Sequence, residues 1–422
     1  MSFLKTHLRW GVVALLFFTA MLNNLDRMVL SVLAPTLKAS LDFGDVEYSY
    51  VVAAFLSAYA IGYVFCGKVL DKVGVKVGIM VALVFWSISG MGHAAAIGWF
   101  SLAAFRFMLG LGESFNSPAG VKAIAEWVPN RERALSMAIF SNGNVLGSIV
   151  APPLVAFLSL HFGWRWAFIV TGGLGLVLWC VWHRFYHAPE CHPNLTEEER
   201  AVIICGRKTD PSQKIVGSEH MCGYRRVALG FVVARLLTDP ITYFFAFWLP
   251  SYLQHDRGFS LAMIGAVGWI PFLASDVGGP GGGAISDWLI RRGWASRKAR
   301  LAMMFFAAML TPAAAIAVLA PRAWMAVACI AIVLGAQSCW MANQLTLISE
   351  SAPRTKVASL LALSAMGGSV GGIVANLMAG RVIGAVGYVP VFCALAVCHV
   401  TAWIVLVFTT RGTAIKGLSH EI

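Results

Sequence analysis

The sequence predicts an all-α membrane protein with twelve transmembrane helices in two pseudo-symmetric six-helix bundles. Three observations lead there: a composition too apolar for water, twelve apolar runs in two sets of six, and a lopsided placement of cations. The chain has 422 residues, 59% hydrophobic and 12% charged, with a mean hydropathy of +0.74. Soluble domains carry about 45–50% apolar and about 25% charged residues. The composition therefore excludes a water-soluble enzyme, a disordered chain and a nucleic-acid-binding domain.

A spanning helix needs about 20 mostly apolar residues. The first run, 9–34, follows Lys5 and Arg9 and contains Asp26-Arg27. No small-residue cleavage site follows it, so it reads as a retained helix rather than a leader. Runs 47–67 and 77–96 flank a short charged turn, and 99–122 holds Arg106 and Glu113. Runs 133–158 and 166–186 complete the first set. A polar stretch follows, and then 226–253, 261–286, 299–319, 323–347, 356–380 and 387–409. The expected organisation is an N-terminal bundle at 1–186, a cytoplasmic linker at 187–225, and a C-terminal bundle with a short tail at 226–422. Little chain remains for an extramembrane catalytic domain.

The net charge of +12 is a matter of topology. With both termini inside, 24 of the 32 Lys and Arg fall on inner segments and 5 on outer ones. Arg27, Arg106 and Arg235 lie within predicted spans. Cytoplasmic loops carry such an excess of cations. The nine cysteines show no CxxC pair and no ligand-like spacing with His, so they read as small buried apolar side chains. No metal or cofactor is expected.

The two halves echo one another. Gly67 and Asp71 match Gly283 and Asp287 at an offset of 216. Pro129, Gly147, Ala151, Gly163 and Phe168 match Pro353, Gly371, Ala375, Gly387 and Phe392, all at 224. Internal duplication in a polytopic protein is the signature of alternating-access transporters, whose substrate binds near the bilayer midplane.

Charged residues inside spans cost at least ~2.5–3.5 kcal/mol each to insert, which makes Asp26, Arg27, Arg106, Glu113 and Arg235 functional candidates. Arg106 and Glu113 are seven residues apart, so they point within about 20° of one direction, about 10 Å apart along the axis. Asn116 lies on a neighbouring face, and Pro118 should loosen the backbone there. Asp26 and Arg27 are adjacent, about 100° apart, so one should face the central cavity and the other a neighbouring helix. A guanidinium is permanently charged and matches a carboxylate as a fork, so it suits binding an organic anion. A carboxyl group between desolvation and a nearby Arg suits proton coupling. Asn343 and Gln344 in the tenth span suit substrate hydroxyls. Competing readings make Arg106 and Glu113 a structural interhelical pair and let Arg235 snorkel to the inner surface.

The segment Gly67-Lys68-Val69-Leu70-Asp71-Lys72-Val73-Gly74-Val75-Lys76 resembles the loop signature of the major facilitator superfamily. Gly67 there would let two helices approach closely, and Asp71 would sit near a helix N-terminus. Further residues make the chain similar to the anion:cation symporter family, and within it to the bacterial hexuronate (galacturonate and glucuronate) branch. They are Leu25-Asp26-Arg27, Arg106 through Glu113, Phe162 through Phe168, His192 through Glu197, Leu237 through Pro240 and Phe247 through Pro250. The resemblance implies the major facilitator fold, with Asp26 and Glu113 as proton-coupled acids. It implies that Arg27 and Arg106 bind or gate the substrate anion and that Tyr59 contacts substrate. Gly67, Asp71 and Asp287 would form the cytoplasmic gate, and Arg235 is kept among the substrate-binding candidates.

The resulting expectation is a proton-coupled symporter that imports an organic carboxylate, foremost a hexuronate or related sugar acid, by alternating access. Its partners would be a small organic anion and the lipid bilayer, with protons as coupling ion. It would act as a monomer in a bacterial inner membrane. The chain departs from the sugar-acid branch at Asn24, Thr242-Tyr243, Ser251 and Met341. An importer of an aromatic acid such as phthalate, or an exporter of anionic compounds, therefore stays open. A membrane-embedded enzyme finds no support, since no HExxH, GxSxG or paired-His constellation occurs.

Overall fold

The computed structural model describes residues 8–207, 224–351 and 357–410, and among these residues the chain is entirely helical apart from turns. The inner cations Lys5, Lys208, Lys214, Arg354, Lys356, Arg411 and Lys416, and the repeat residue Pro353, lie outside the described residues. In chain order the helices are α1 (Leu8–Leu41), α2 (Asp45–Gly92), α3 (Trp99–Glu113), α4 (Asn116–Trp127), α5 (Arg133–Phe162) and α6 (Trp164–Phe185). A short helix, α7 (Glu197–Arg207), precedes α8 (Tyr224–His255), α9 (Leu261–Val267), α10 (Ile270–Arg291) and α11 (Ser296–Leu310). The last four are α12 (Ala313–Leu319), α13 (Ala323–Ser351), α14 (Val357–Val386) and α15 (Val389–Thr409).

Among the described residues, ten helical stretches are long and apolar enough to cross a membrane. They correspond to the twelve expected spans because α2 holds two of them and the fourth is broken. The expected turn at 68–76 is helical except at Gly74, whose φ of 78° kinks the long helix. That backbone conformation favours glycine, which has no Cβ to clash. Asp71 therefore stands at the end of a helical segment, not near an N-terminus as expected. The dipole disfavours a carboxylate there, and Lys122 offsets it, donating to Asp71 Oδ1 at 2.6 Å and to the Leu70 carbonyl at 3.0 Å.

Prolines account for the other interruptions. The fourth span breaks between α3 and α4 at Ser114-Phe115, four and three residues before Pro118. The eighth breaks at Gly268-Trp269 ahead of Pro271, and the ninth at Thr311-Pro312. A proline lacks the N–H that the carbonyl four residues back requires, and its ring crowds that carbonyl.

The chain forms two compact units. The first is Met1–Lys214 with Leu253–Trp269, and the second is Ile215–Tyr252 with Ile270–Ile422. In the first, Gly143 and Gly147 lay α5 directly on the backbone of α1. A Cβ at either would collide with the carbonyl of Phe17 or Met21. In the second, Gly367 and Gly371 do the same for α14 on α8, at the carbonyls of Val232 and Leu236. Small residues spaced by four let helices close up where no hydrophobic force drives them together. Gly67, by contrast, has nothing within 4 Å of where a Cβ would stand, so the expected close approach is absent there. Gly62 makes one instead, against Ser114. The apolar interior of the second unit centres on Trp340, Phe231, Met304 and Leu406.

Candidate functional site

The site in the first unit is built from α1, α2 and α3. The Arg27 side chain on α1 is 23% exposed, and its Nε donates to Glu113 Oε2 at 2.7 Å. Its Nη2 donates to Asn23 Oδ1 at 3.0 Å, one turn back on the same helix. The Asn23 amide in turn reaches the Glu113 carbonyl at 3.5 Å, at the break that Pro118 imposes on the fourth span. The flat face of Arg27 lies 4.4 Å from the ring centre of Tyr59, and the Tyr63 hydroxyl donates to that of Tyr59 at 3.3 Å. Cation–π stacking holds a guanidinium in place while leaving its edge available for hydrogen bonds.

Glu113 is fully buried, and its second oxygen, Oε1, meets no donor. Asp26 leaves α1 about 100° away from Arg27, toward α6. It is 3% exposed, neither of its oxygens has a hydrogen-bond partner, and Thr171 of α6, Glu113 and Arg106 are its polar neighbours. Arg106 is completely buried. The resemblance implies that it binds or gates the substrate anion; here it donates to the carbonyls of Asp26 at 3.4 Å and Arg27 at 3.0 Å and stacks 4.5 Å from Phe55. In this structure it braces the α1 backbone beneath the two charged side chains.

The remaining candidates are placed elsewhere. Asn116, at the start of α4, is 2% exposed, and its carbonyl oxygen is unpartnered. Arg235 neither snorkels nor stands free. Its Nε and Nη2 both donate to Asp239 Oδ2, at 2.9 and 2.7 Å, within the interior of the second unit. Asn343 and Gln344 are fully buried, the first donating to the Cys339 carbonyl at 2.9 Å and the second accepting from Trp340 at 3.0 Å. Neither is at a surface a substrate hydroxyl could reach in this conformation. Asp287 pairs with Arg300 at 2.7 Å, and Arg300 also reaches Glu350 at 3.5 Å. This network is the second unit's counterpart of Asp71 with Lys122.

Sequence reasoning missed Asn23, Phe55 and Tyr63. A signal was present: Asn23 precedes Arg27 by four, and Phe55, Tyr59 and Tyr63 recur every four residues, which sets each group on one helix face.

The chain matches the family model of the Major Facilitator Superfamily over residues 16–376. It is 30% identical to the hexuronate transporter of Escherichia coli (strain K12) over 395 residues, covering 92% of this chain and 91% of that one. It is 33% identical to the galacturonate transporter of Dickeya chrysanthemi over 275 residues, 64% of this chain and 79% of that one. Among solved structures it is similar to the inward open xylose transporter of E. coli, with a TM-score of 0.71 at 14% identity, covering 94% and 95% of the two chains. A bacterial homolog of the human lysosomal transporter Spinster gives 0.69 at 19% identity, covering 96% of each chain. These two share the fold. With a matching family model over most of its length and relatives aligned nearly end to end, the chain belongs to the Major Facilitator Superfamily and is a multi-pass membrane transporter, not an enzyme.

Proposed function

We propose that the protein is a proton-coupled symporter that imports an organic carboxylate, foremost a hexuronate or related sugar acid, by alternating access. The observation that carries this reading is the Arg27–Glu113 pair. Arg27 is a partly exposed side chain whose guanidinium has a side-chain carboxylate as ion partner, so a substrate carboxylate and Glu113 compete for the same fork. When Glu113 takes a proton its hold on Arg27 weakens, and the guanidinium turns to the incoming anion. When the anion leaves, Glu113 returns as carboxylate and its proton is released. Substrate and proton thus travel together because one cation serves both.

Asp26 is the second proton-carrying acid, since a charge buried without partners costs several kcal/mol. Tyr59 shapes the substrate's approach to Arg27. Arg106 acts on the anion indirectly, by fixing the backbone that presents Arg27. Asn116, Arg235, Asn343 and Gln344 are assigned to substrate contact only in a conformation that opens them. Asp71 and Asp287 form the cytoplasmic gate together with Gly67. The relatives named for hexuronate and galacturonate transport support the cargo class. Both termini face the cytoplasm, the protein acts as a monomer, and the membrane is a bacterial inner membrane.

The test is uptake into proteoliposomes with the outer medium acidic. Labelled galacturonate or glucuronate should accumulate, and collapsing the gradient should stop accumulation. Accumulation of phthalate in place of both sugar acids would overturn the cargo assignment. Uptake indifferent to the gradient would overturn the coupling.

A further inference from the structure

Thr196-Glu197-Glu198-Glu199 opens α7 with the spacing of a capping box, and Thr196 accepts the Glu199 N–H at 3.3 Å. In a capping box the last residue's carboxylate turns back to its own helix start. Glu199 turns to a different helix. Its Oε2 accepts the Leu8 N–H at 3.1 Å, and its Oε1 accepts the Arg9 N–H at 3.1 Å and Arg9 Nη1 at 3.2 Å. The Glu199 side chain is 2% exposed. Arg9 Nε reaches Glu132 Oε2, in the turn before α5, at 2.9 Å. The Leu8 and Arg9 N–H groups, two donors of the first described turn of α1, are thus satisfied by a carboxylate from α7.

The helix so held is the one that carries the site. Arg9 and Arg27 are 18 positions apart on one unbroken helix, a rise of about 27 Å. Along its flank α1 packs on the glycine face of α5, where Asn24 Nδ2 donates to the Asn144 carbonyl at 2.7 Å, and Arg106 bonds the α1 backbone at Asp26 and Arg27. The cap adds directional bonds at the other end of the same helix.

We propose that Glu199 is a positioning residue for transport: together with the bonds of Asn24 and Arg106 farther along, it sets the axial height of α1 and thereby the meeting of Arg27 with Glu113. The proposal rests on the reading of Arg27 as the anion-binding group. The test compares the full-length wild type with Glu199→Gln and with the exposed neighbour Glu198→Gln as control. In Glu199→Gln, hydrogen exchange at the start of α1 should speed up about tenfold, the scale of one lost charge-assisted bond. The KM for the carried acid should rise about tenfold while the maximal rate per folded transporter stays within about twofold. A merely structural defect would lower the amount of folded protein and leave KM unchanged. Glu198→Gln should change neither.

Faster exchange with unchanged KM would overturn the positioning role, and unchanged exchange would overturn the cap itself. Should Glu199→Gln fail to fold, Arg9→Lys, which keeps the charge but cannot bridge both carboxylates, must raise KM in the same way. A wild type that carries no sugar acid would defeat the functional reading alone. Positioning would then be read without substrate, from the rate at which a thiol reagent modifies Arg27→Cys with and without Glu199→Gln. Equal rates would overturn it.

Discussion

Gln337 donates its side-chain amide to the Thr242 hydroxyl at 3.0 Å, and this pair occupies in the second unit the positions that Glu113 and Arg27 occupy in the first. Glu113 and Gln337 are 224 positions apart, as are Trp127 and Ser351, the last residues of α4 and α13. Arg27 and Thr242 are 215 apart, as are Phe17 and Val232, whose carbonyls lie against the matched glycines 143 and 367. The duplication has kept the pairing and removed the charge from one copy. Thr242→Val should therefore leave the pH dependence of uptake unchanged. It should lower the thermal midpoint, because the stranded Gln337 amide costs about 1–3 kcal/mol. A pH profile displaced by this change would place proton chemistry in the second unit as well.

Glu113→Gln keeps the shape of the site and removes the titrating group. Accumulation against a gradient should vanish while exchange of labelled for unlabelled substrate persists. Both are read in the same proteoliposomes, and gradient-driven accumulation by the variant would remove Glu113 from coupling.

Arg27→Lys preserves a positive charge but cannot bond Glu113 and Asn23 at once while presenting an edge to substrate. The KM should rise at least about tenfold, the worth of one charge-assisted hydrogen bond. Initial-rate measurements over a range of substrate concentrations decide it, and a KM near the wild-type value would argue against fork-like recognition.

Glycines separate packing from gating. Gly147→Ala forces a Cβ into the Met21 carbonyl and should cost roughly 1–3 kcal/mol, lowering the melting temperature in detergent. Gly67→Ala meets open space and should change stability by less than about 0.5 kcal/mol. Retained folding makes Gly67→Ala a clean probe of the gate, and altered transport there would show that the position acts through motion rather than packing.

His192, outside the spans, gives a pH signature. The Asn194 N–H donates to its Nδ1 at 3.2 Å, so its Nε2 carries the proton toward the Phe185 carbonyl at 3.3 Å. Burial, foremost, holds its pKa below the ordinary 6.5, and a proton on Nδ1 would break the Asn194 bond. The unfolded chain then takes up a proton before the folded one does. Stability from this residue is present above about pH 6.5 and lost as the pH falls below it. The melting temperature should drop between pH 7 and 5.5, and His192→Gln should flatten that drop.

The hydropathy of twenty-residue windows was enough to read the helical membrane fold, and matched residues at constant offsets were enough to read its duplication. The first depends on each segment's own preference for lipid or water, and the second on residues that recur along the chain. The positions of Asp26, Arg27, Arg106 and Glu113 were equally legible, because a charge in an apolar run is conspicuous wherever it lies. Their partners were not. Arg27 meets Glu113 across 86 positions of chain, and Glu199 meets Leu8 across 191. Arg106 and Arg27 look alike in sequence, yet one is sealed against backbone carbonyls and the other keeps an open edge. That difference comes from which neighbouring helix each side chain meets. Such meetings are set only when the helices pack.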